Sequence, residues 1–369
     1  MAVAQPSGCL TERYLNELSA ELPEVDGFLG VHDYPSIVQV LDALLEGRRI
    51  VGWESGPCAL PMQARALTTP FYTAYIKIAE GCDNRCSYCA IPFIRGPYVS
   101  RPLDDIVEEC EALADRGVRE IVLVAQDTTR YGQDFAKESQ LIELLIRLNA
   151  IEKLHWIRML YCYPERITDR LIDTMIDLPK VCRYLDIPIQ HINVELLRAM
   201  HRNSTPEQVL GLMDRIRQRK AGFVLRTSLI AGFPGETEAQ FEELCRFIQE
   251  HPFEHLGAFA FSPEEGTPAA KLPGALEKEV REARQTRLME IQSRALDAQN
   301  AERNGEIYEV LVEGYDEDSG FYFGRSYAQA PEIDEKIFFT TVSELEPGAF
   351  VQVQITGSQG CDWIGEMIP

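Results

Sequence analysis

The sequence predicts a mixed α/β protein: an open six-stranded partial TIM barrel, followed by a small antiparallel β-barrel and preceded by a short α/β segment. Three observations lead there. From Thr73 to about Gly266, six strand-like apolar runs alternate with helix-period runs, which is how a parallel sheet with helices outside it reads in sequence. Beyond Gly305, five short β runs are separated by turns such as Asp318-Ser319-Gly320 and Pro347-Gly348, as in a small closed barrel. Directly after the first strand comes Glu80-Gly81-Cys82-Asp83-Asn84-Arg85-Cys86-Ser87-Tyr88-Cys89, at the strand end where barrels of this type carry their sites.

The elements follow in order. Cys9 lies in Gly8-Cys9-Leu10-Thr11-Glu12-Arg13-Tyr14, with a helix expected from there to about residue 22. A second helix over 36–46 carries Ile37, Val40, Leu41, Leu44 and Leu45 on one face, and Gly47 ends it. The Gly-, Pro- and polar-rich stretch 52–69, with Cys58 as an incidental thiol, reads as a linker. The six barrel strands are expected at 74–78, 121–125, 156–160, 184–188, 224–230 and 256–261, and the intervening helices at 103–116, 140–148, 169–178, 206–220 and 238–250. A polar helix over 277–303 leads to β runs at 307–313, 321–326, 337–341, 349–357 and 361–367. The expected domains are 1–68, 69–302 and 303–369.

Composition narrows the class. A chain of 369 residues is too long for one ordinary core. No apolar run is long enough to span a bilayer, and no basic-then-apolar leader opens the sequence. Outside the 82–89 loop the ten cysteines are scattered, with no disulfide framework, which fits a reducing, cytoplasmic setting. The formal net charge of −22 disfavours polyanionic partners and favours basic ones.

The chemistry concentrates in the cysteine loop. Cys82-x3-Cys86-x2-Cys89 can wrap three thiolates around three corners of a cubane iron–sulfur cluster, one short of a full set of four. The remaining iron is then open to a small molecule. Structural zinc instead favours paired C-x2-4-C hooks with a second pair further on, and no second pair is present. Further candidates stand at other strand ends: Gln126, Asp127 and Thr128 after the second strand, Gln190-His191 after the fourth, and Arg226 and Ser228 on one face of the fifth, before the turn Gly232-Phe233-Pro234-Gly235.

With aromatic Tyr88 before its last cysteine, this loop resembles the signature of the radical S-adenosylmethionine (SAM) superfamily, whose fold is an open six-stranded partial barrel. The stretches Ala125-Gln126-Asp127-Thr128, Ala231-Gly232-Phe233-Pro234-Gly235-Glu236 and Phe261-Ser262-Pro263-Glu264-Glu265-Gly266-Thr267-Pro268 narrow the resemblance to the methylthiotransferases, and the terminal strands resemble their TRAM domain. The resemblance implies a 4Fe–4S cluster on Cys82, Cys86 and Cys89 that cleaves SAM. It implies that Tyr88 packs near the adenine and that Gln126, Arg226 and Ser228 help to seat SAM. It also implies an auxiliary cluster in an N-terminal domain, with Cys9 as the one ligand that has a counterpart here. The chain is therefore expected to be an N-terminally shortened form.

Two branches of that family differ in substrate, one taking transfer RNA and the other the β-carbon of an aspartate in a small-subunit ribosomal protein, the twelfth. Gln126-Asp127-Thr128-Thr129 resembles the second branch. Residues 301–369 hold fourteen acidic and three basic residues, a poor surface for phosphates and a good one for a basic protein. A basic ribosomal protein and an electron donor are the expected partners, with no membrane and no direct tRNA binding. A tRNA adenosine methylthiotransferase and a non-catalytic remnant that binds the ribosomal protein are the alternative readings.

Overall fold

The computed structural model describes residues 7–52 and 66–369; Cys58 and most of the expected linker lie outside the described residues. Six strands form the partial barrel: β1 (Thr73–Lys77), β2 (Glu120–Val124), β3 (Trp156–Met159), β4 (Tyr184–Asp186), β5 (Val224–Ala231) and β6 (His255–Ala260). Within β1–β2–β3 and within β4–β5–β6 every pairing is parallel. The two halves are stitched by a parallel bridge, Ile157 to Val181, and by the Cys182 N–H donating to the Ile157 carbonyl (2.9 Å). β1 and β6 keep free edges, so the barrel stays open.

The helices are α1 (Leu103–Asp115), α2 (Leu141–Asn149), α3 (Asp169–Asp177), α4 (Pro206–Gln218), α5 (Glu238–Glu250) and α6 (Lys278–Glu302). Each of these six helices lies within two residues of its expected limits. Thr205 and Thr237 start α4 and α5 with reciprocal capping boxes to Gln208 and Gln240. The main core lies between these helices and the outer faces of the strands, where Ile76, Ile121, Leu123, Leu225 and Leu229 meet Ile106, Leu144 and Leu244. Alternation along β5 turns Arg226, Ser228 and Ile230 to the other, inner face.

Before the barrel, the helix expected up to residue 22 is two helices, Cys9–Arg13 and Leu15–Glu21, broken at Tyr14. The helix Ile37–Leu45 joins two parallel two-residue strands, Gly27–Phe28 and Ile50–Val51. This segment docks at the barrel mouth: Arg13 binds Glu264 and the Glu265 carbonyl, and the Tyr14 hydroxyl donates to Glu265 (3.2 Å).

The C-terminal barrel is closed by β7 (Ile307–Asp316), β8 (Phe321–Arg325), β9 (Ile337–Thr340), β10 (Phe350–Gln359) and β11 (Asp362–Met367), in the order β7-β8-β9-β11-β10. One seam, β9 to β11, is parallel; the others are antiparallel as expected. Gly324 is required in β8, since a Cβ there would fall 2.2 Å from the Leu311 carbonyl oxygen.

The loop after β8 enters the inner base of the partial barrel and locks the two units together. Arg158 donates to the Tyr327 carbonyl (2.7 Å), Tyr184 to Asp334 (2.6 Å) and Tyr75 to the Pro331 carbonyl (3.2 Å). His255 lies in the same junction, with Nε2 2.7 Å from the Ala328 carbonyl oxygen and Nδ1 2.7 Å from Glu335 Oε2. Both ring nitrogens therefore face acceptors, which only an imidazolium satisfies. Burial pushes the His255 pKa down, but the Glu335 hydrogen bond and the Asp334 and Glu335 charges outweigh it and raise the value. Glu335 is held below its ordinary value, its burial outweighed by His255.

The sign of the pH effect follows. The His255 contribution is complete below its unfolded pKa of about 6.5 and is lost as pH rises through the raised folded value. The Glu335 contribution is present above about 4.3 and is lost on acidification. Hydrogen exchange of residues 326–336, corrected for intrinsic rates, is expected to accelerate as pH rises above about 6.5. His255→Asn is expected to remove that acceleration.

Candidate functional site

The cysteine loop is built to hold its shape. After β1, Ala79–Glu80 pairs antiparallel with Val99–Ser100 and pinches off residues 81–98. Gly81 has φ 75°, and a Cβ there would lie 2.0 Å from the Pro97 carbonyl oxygen, so no other residue fits. Ser87 donates from its amide to the Met200 carbonyl (3.0 Å) and from its hydroxyl to the Ala199 carbonyl (2.8 Å). Asn84 donates to Asp127 (3.1 Å), and Asp83 pairs with Arg130 (2.8 Å).

Cys82, Cys86 and Cys89 open into one cavity of about 350 Å3 at the C-terminal ends of β1, β2 and β3. Its walls include Lys77, Ala79, Arg85, Ile91, Val124, Gln126, Tyr161 and Tyr163. Burial raises the Cys82 pKa, and burial with the neighbouring sulfurs pushes Cys89 up to about 11. Three clustered thiols cannot ionise together without a cation, and thiolates are what a metal group binds. Among the described residues the only trio of metal-binding side chains with ligand atoms within 4.8 Å of one another is His255, Asp334 and Glu335. The three sulfurs are thus spread wider than a single ion needs, as corner ligands of a multi-iron cluster are. The donor set fits that group.

Gln126 lies in the cavity wall. Its Nε2 donates to Glu80 (3.4 Å), while its Oε1 is buried with no partner among the described residues. Burial would raise the Glu80 pKa, but Lys77 and Arg95 hold it below the usual carboxylate range, so this wall keeps a fixed charge array. Tyr88 is half-buried against Leu196, Met200, Phe233 and Phe261, outside the cavity lining. Ser228 faces the barrel interior from mid-β5, opposite Gly257.

Other expectations need correction. Arg226 is not poised for a ligand carboxylate: its guanidinium is taken by Asp186 (2.9 Å) and by Asp334 of the C-terminal unit (3.4 Å). His191 does not reach the barrel mouth. It is fully buried, with Nδ1 accepting from the Asn193 amide (2.9 Å) and Nε2 donating to Glu236 (3.1 Å). Glu236 also takes the Gly232 amide and Arg284 (2.8 Å), which fixes the glycine turn. Asp127 is a buried anchor for Asn84, Thr129 and Arg166, and the Thr128 hydroxyl donates to the Leu160 carbonyl (2.5 Å). Cys9 is exposed and outside the cavity lining; its sulfur accepts from Arg95 Nη2 (3.2 Å), which places it beside the helix that leaves the cysteine loop.

Three residues near the sulfurs were not anticipated. Tyr161 (φ 59°) and Tyr163 line the cavity after β3, and Arg202 follows a short helix, Val194–Ala199, that sequence periodicity did not reveal. The first two stand at a strand end, the one position rule that could have found them.

The radical SAM superfamily model matches residues 76–248 and the TRAM domain model residues 305–368. The ribosomal protein uS12 methylthiotransferase RimO of Acetivibrio thermocellus is 43% identical over 98% of this chain and 82% of its own length. The chain belongs to the RimO family of methylthiotransferases. The proteins of the same name from Desulforamulus reducens and Pelotomaculum thermopropionicum are each 46% identical, again over 98% of this chain and 82% of the relative. The RimO-family chain is therefore a radical SAM methylthiotransferase with a TRAM barrel. A radical SAM methyltransferase, TsrM from Kitasatospora setae, shares the fold with a TM-score of 0.56 and 19% identity, over 73% of this chain and 58% of that one. Among the described residues no helix is long and apolar enough to cross a membrane.

Proposed function

We propose that this RimO-family chain methylthiolates the β-carbon of an aspartate in the small-subunit ribosomal protein uS12, using SAM and a 4Fe–4S cluster held by Cys82, Cys86 and Cys89. The observation that carries this reading is the convergence of three thiols on one cavity, in a chain 43–46% identical to uS12 methylthiotransferases along nearly its whole length. Cys82, Cys86 and Cys89 would hold the cluster, which would supply the electron for homolytic cleavage of SAM.

The chain's own residues seat and shield the reactants. Gln126 Oε1 accepts from the SAM amine, with Glu80 fixing the amide. Tyr161 and Tyr163 exclude water from one wall, and Tyr88 backs the adenine side from the Phe233–Phe261 cluster. Ser228 offers a hydroxyl from the inner face of β5. Cys9, hydrogen-bonded by Arg95, stands on the docked N-terminal segment as a ligand of the auxiliary group.

The choice of a basic protein over RNA rests on charge. Several of the terminal carboxylates serve internal contacts, among them Glu313, Asp334 and Glu335. Glu302, Glu306, Glu317, Asp318, Glu332, Glu344, Glu346 and Glu366 remain exposed, against Lys336 as the one fully exposed cation of that unit.

The test is anaerobic reconstitution with iron and sulfide, followed by incubation with SAM, sulfide as the sulfur source, a reductant and purified uS12. About four iron atoms per chain at this site, 5′-deoxyadenosine, and the mass of one methylthio group on a single uS12 aspartate are expected. Modification of tRNA instead would transfer the assignment to the other branch. Binding to uS12 is expected to weaken at least about tenfold between low and 0.3 M salt, because exposed charge pairs are screened. Salt-independent binding would exclude the acidic barrel as the docking surface.

A further inference from the structure

Arg202 is a buried cation with no carboxylate counter-charge among the described residues. It is 7% exposed, and its Nε is buried without a partner among the described residues. Its Nη2 donates to the Pro188 carbonyl (2.7 Å), its guanidinium lies 4.3 Å from the centre of the Tyr163 ring, and its Nη1 is 3.9 Å from Cys86 Sγ. Among the described residues no carboxylate forms an ion pair with it. The other deeply buried arginines all have one: Arg158 and Arg325 share Glu120, and Arg284 has Glu236. Removing a guanidinium from water without an anion is costly. The Cys86 sulfur, 3.9 Å away, is a group that a bound cluster would make anionic.

We propose that Arg202 is a positioning residue that places a fixed positive charge at the Cys86 corner of the cluster and thereby raises its reduction potential. The inference rests on the reading that Cys82, Cys86 and Cys89 hold a 4Fe–4S cluster. Reduction takes one electron from a low-potential donor, dithionite or titanium(III) citrate in vitro, and no proton. The net negative charge at the site grows by one unit, and a cation in a dry environment favours the more negative state. The contact with Tyr163 and the Pro188 carbonyl keeps the guanidinium from swinging away to solvent.

The experiment is an EPR-monitored redox titration of the reconstituted full chain, with Arg202→Gln and Arg202→Lys beside the wild type. At a fixed potential the ratio of reduced to oxidised cluster is expected to fall roughly tenfold in Arg202→Gln, a shift of about 59 mV to more negative potential for one electron. Arg202→Lys is expected to recover most of it. A Gln variant that titrates at the wild-type potential overturns the proposal, as does an equal shift in both variants, which would mean that shape rather than charge matters. If Arg202→Gln loses its iron while Arg202→Lys keeps it, the charge assignment is supported; loss from both overturns it. A wild-type chain that binds no iron would overturn the underlying cluster reading, and that control separates the two failures.

Discussion

Cys86→Ala is expected to lower SAM cleavage by more than about 100-fold, since removal of a metal ligand exceeds the usual effect of removing an outer-shell partner. Two sulfurs cannot hold three corners of a cluster, and Cys86 is buried, with Tyr163 Oη at 3.8 Å and Arg202 at 3.9 Å. The fold is expected to survive. The loop is tied down by Asn84, Ser87 and Gly81, none of which depends on the sulfur. Deoxyadenosine formation, measured by chromatography, is the readout, with a thermal melt as the control for folding. Cys245→Ala, on the buried face of α5, is the matched comparison, and its activity is expected to be retained. Deoxyadenosine production by Cys86→Ala at the wild-type rate would falsify the assignment of the loop.

The second large effect is structural. Glu120→Gln is expected to destabilise the chain by about 3–5 kcal/mol, the cost of leaving a buried charge uncompensated. Glu120 is fully buried at the start of β2, where it receives Arg158 Nε (3.0 Å) and, from the C-terminal barrel, Arg325 Nη2 (2.7 Å). Burial would raise its pKa, but the two guanidinium groups outweigh burial and bring it to about 2. The substitution leaves Arg325 with Glu313 as its anion and Arg158 with no carboxylate partner among the described residues. A depressed carboxylate contributes stability that is present above its unfolded pKa of about 4.3 and is lost as pH falls through about 2. The denaturant midpoint is therefore expected to fall in Glu120→Gln at neutral pH, and the acid-labile part of the wild-type stability to disappear. A midpoint unchanged from wild type would show that the triad is neutral, as a buried network can be when replaced by well-packed groups.

Several features were legible because their physics is local. The spacing Cys82-x3-Cys86-x2-Cys89 is a statement about how few residues separate three ligands, and no distant contact alters it. Strand and helix periods along β1–β6 and α1–α5 reflect which face each element must bury, so their limits came out within a few residues. Gly81 could be suspected for the same reason, though its need is visible only in the 2.0 Å approach of the Pro97 carbonyl oxygen.

Partner choice is the part that chain order conceals. Alternation put Arg226 and Ser228 on one face correctly, but it could not show that Asp334, more than a hundred residues later, would occupy the guanidinium. His191 follows a strand, as a site residue should, yet Glu236 and the Asn193 amide hold it in the interior. Arg202 carries no motif of its own; it matters because the chain returns it to within 3.9 Å of Cys86. The linear order of residues thus determined the spacing of the three cysteines, the alternation of strands and helices, and the acidic character of the terminal barrel, all of which depend on neighbours in the chain. Which charges are paired, which cation faces the sulfurs, and how Glu120 and His255 bind the two units together depended on folding, because a buried charge is governed by whatever three-dimensional packing brings beside it.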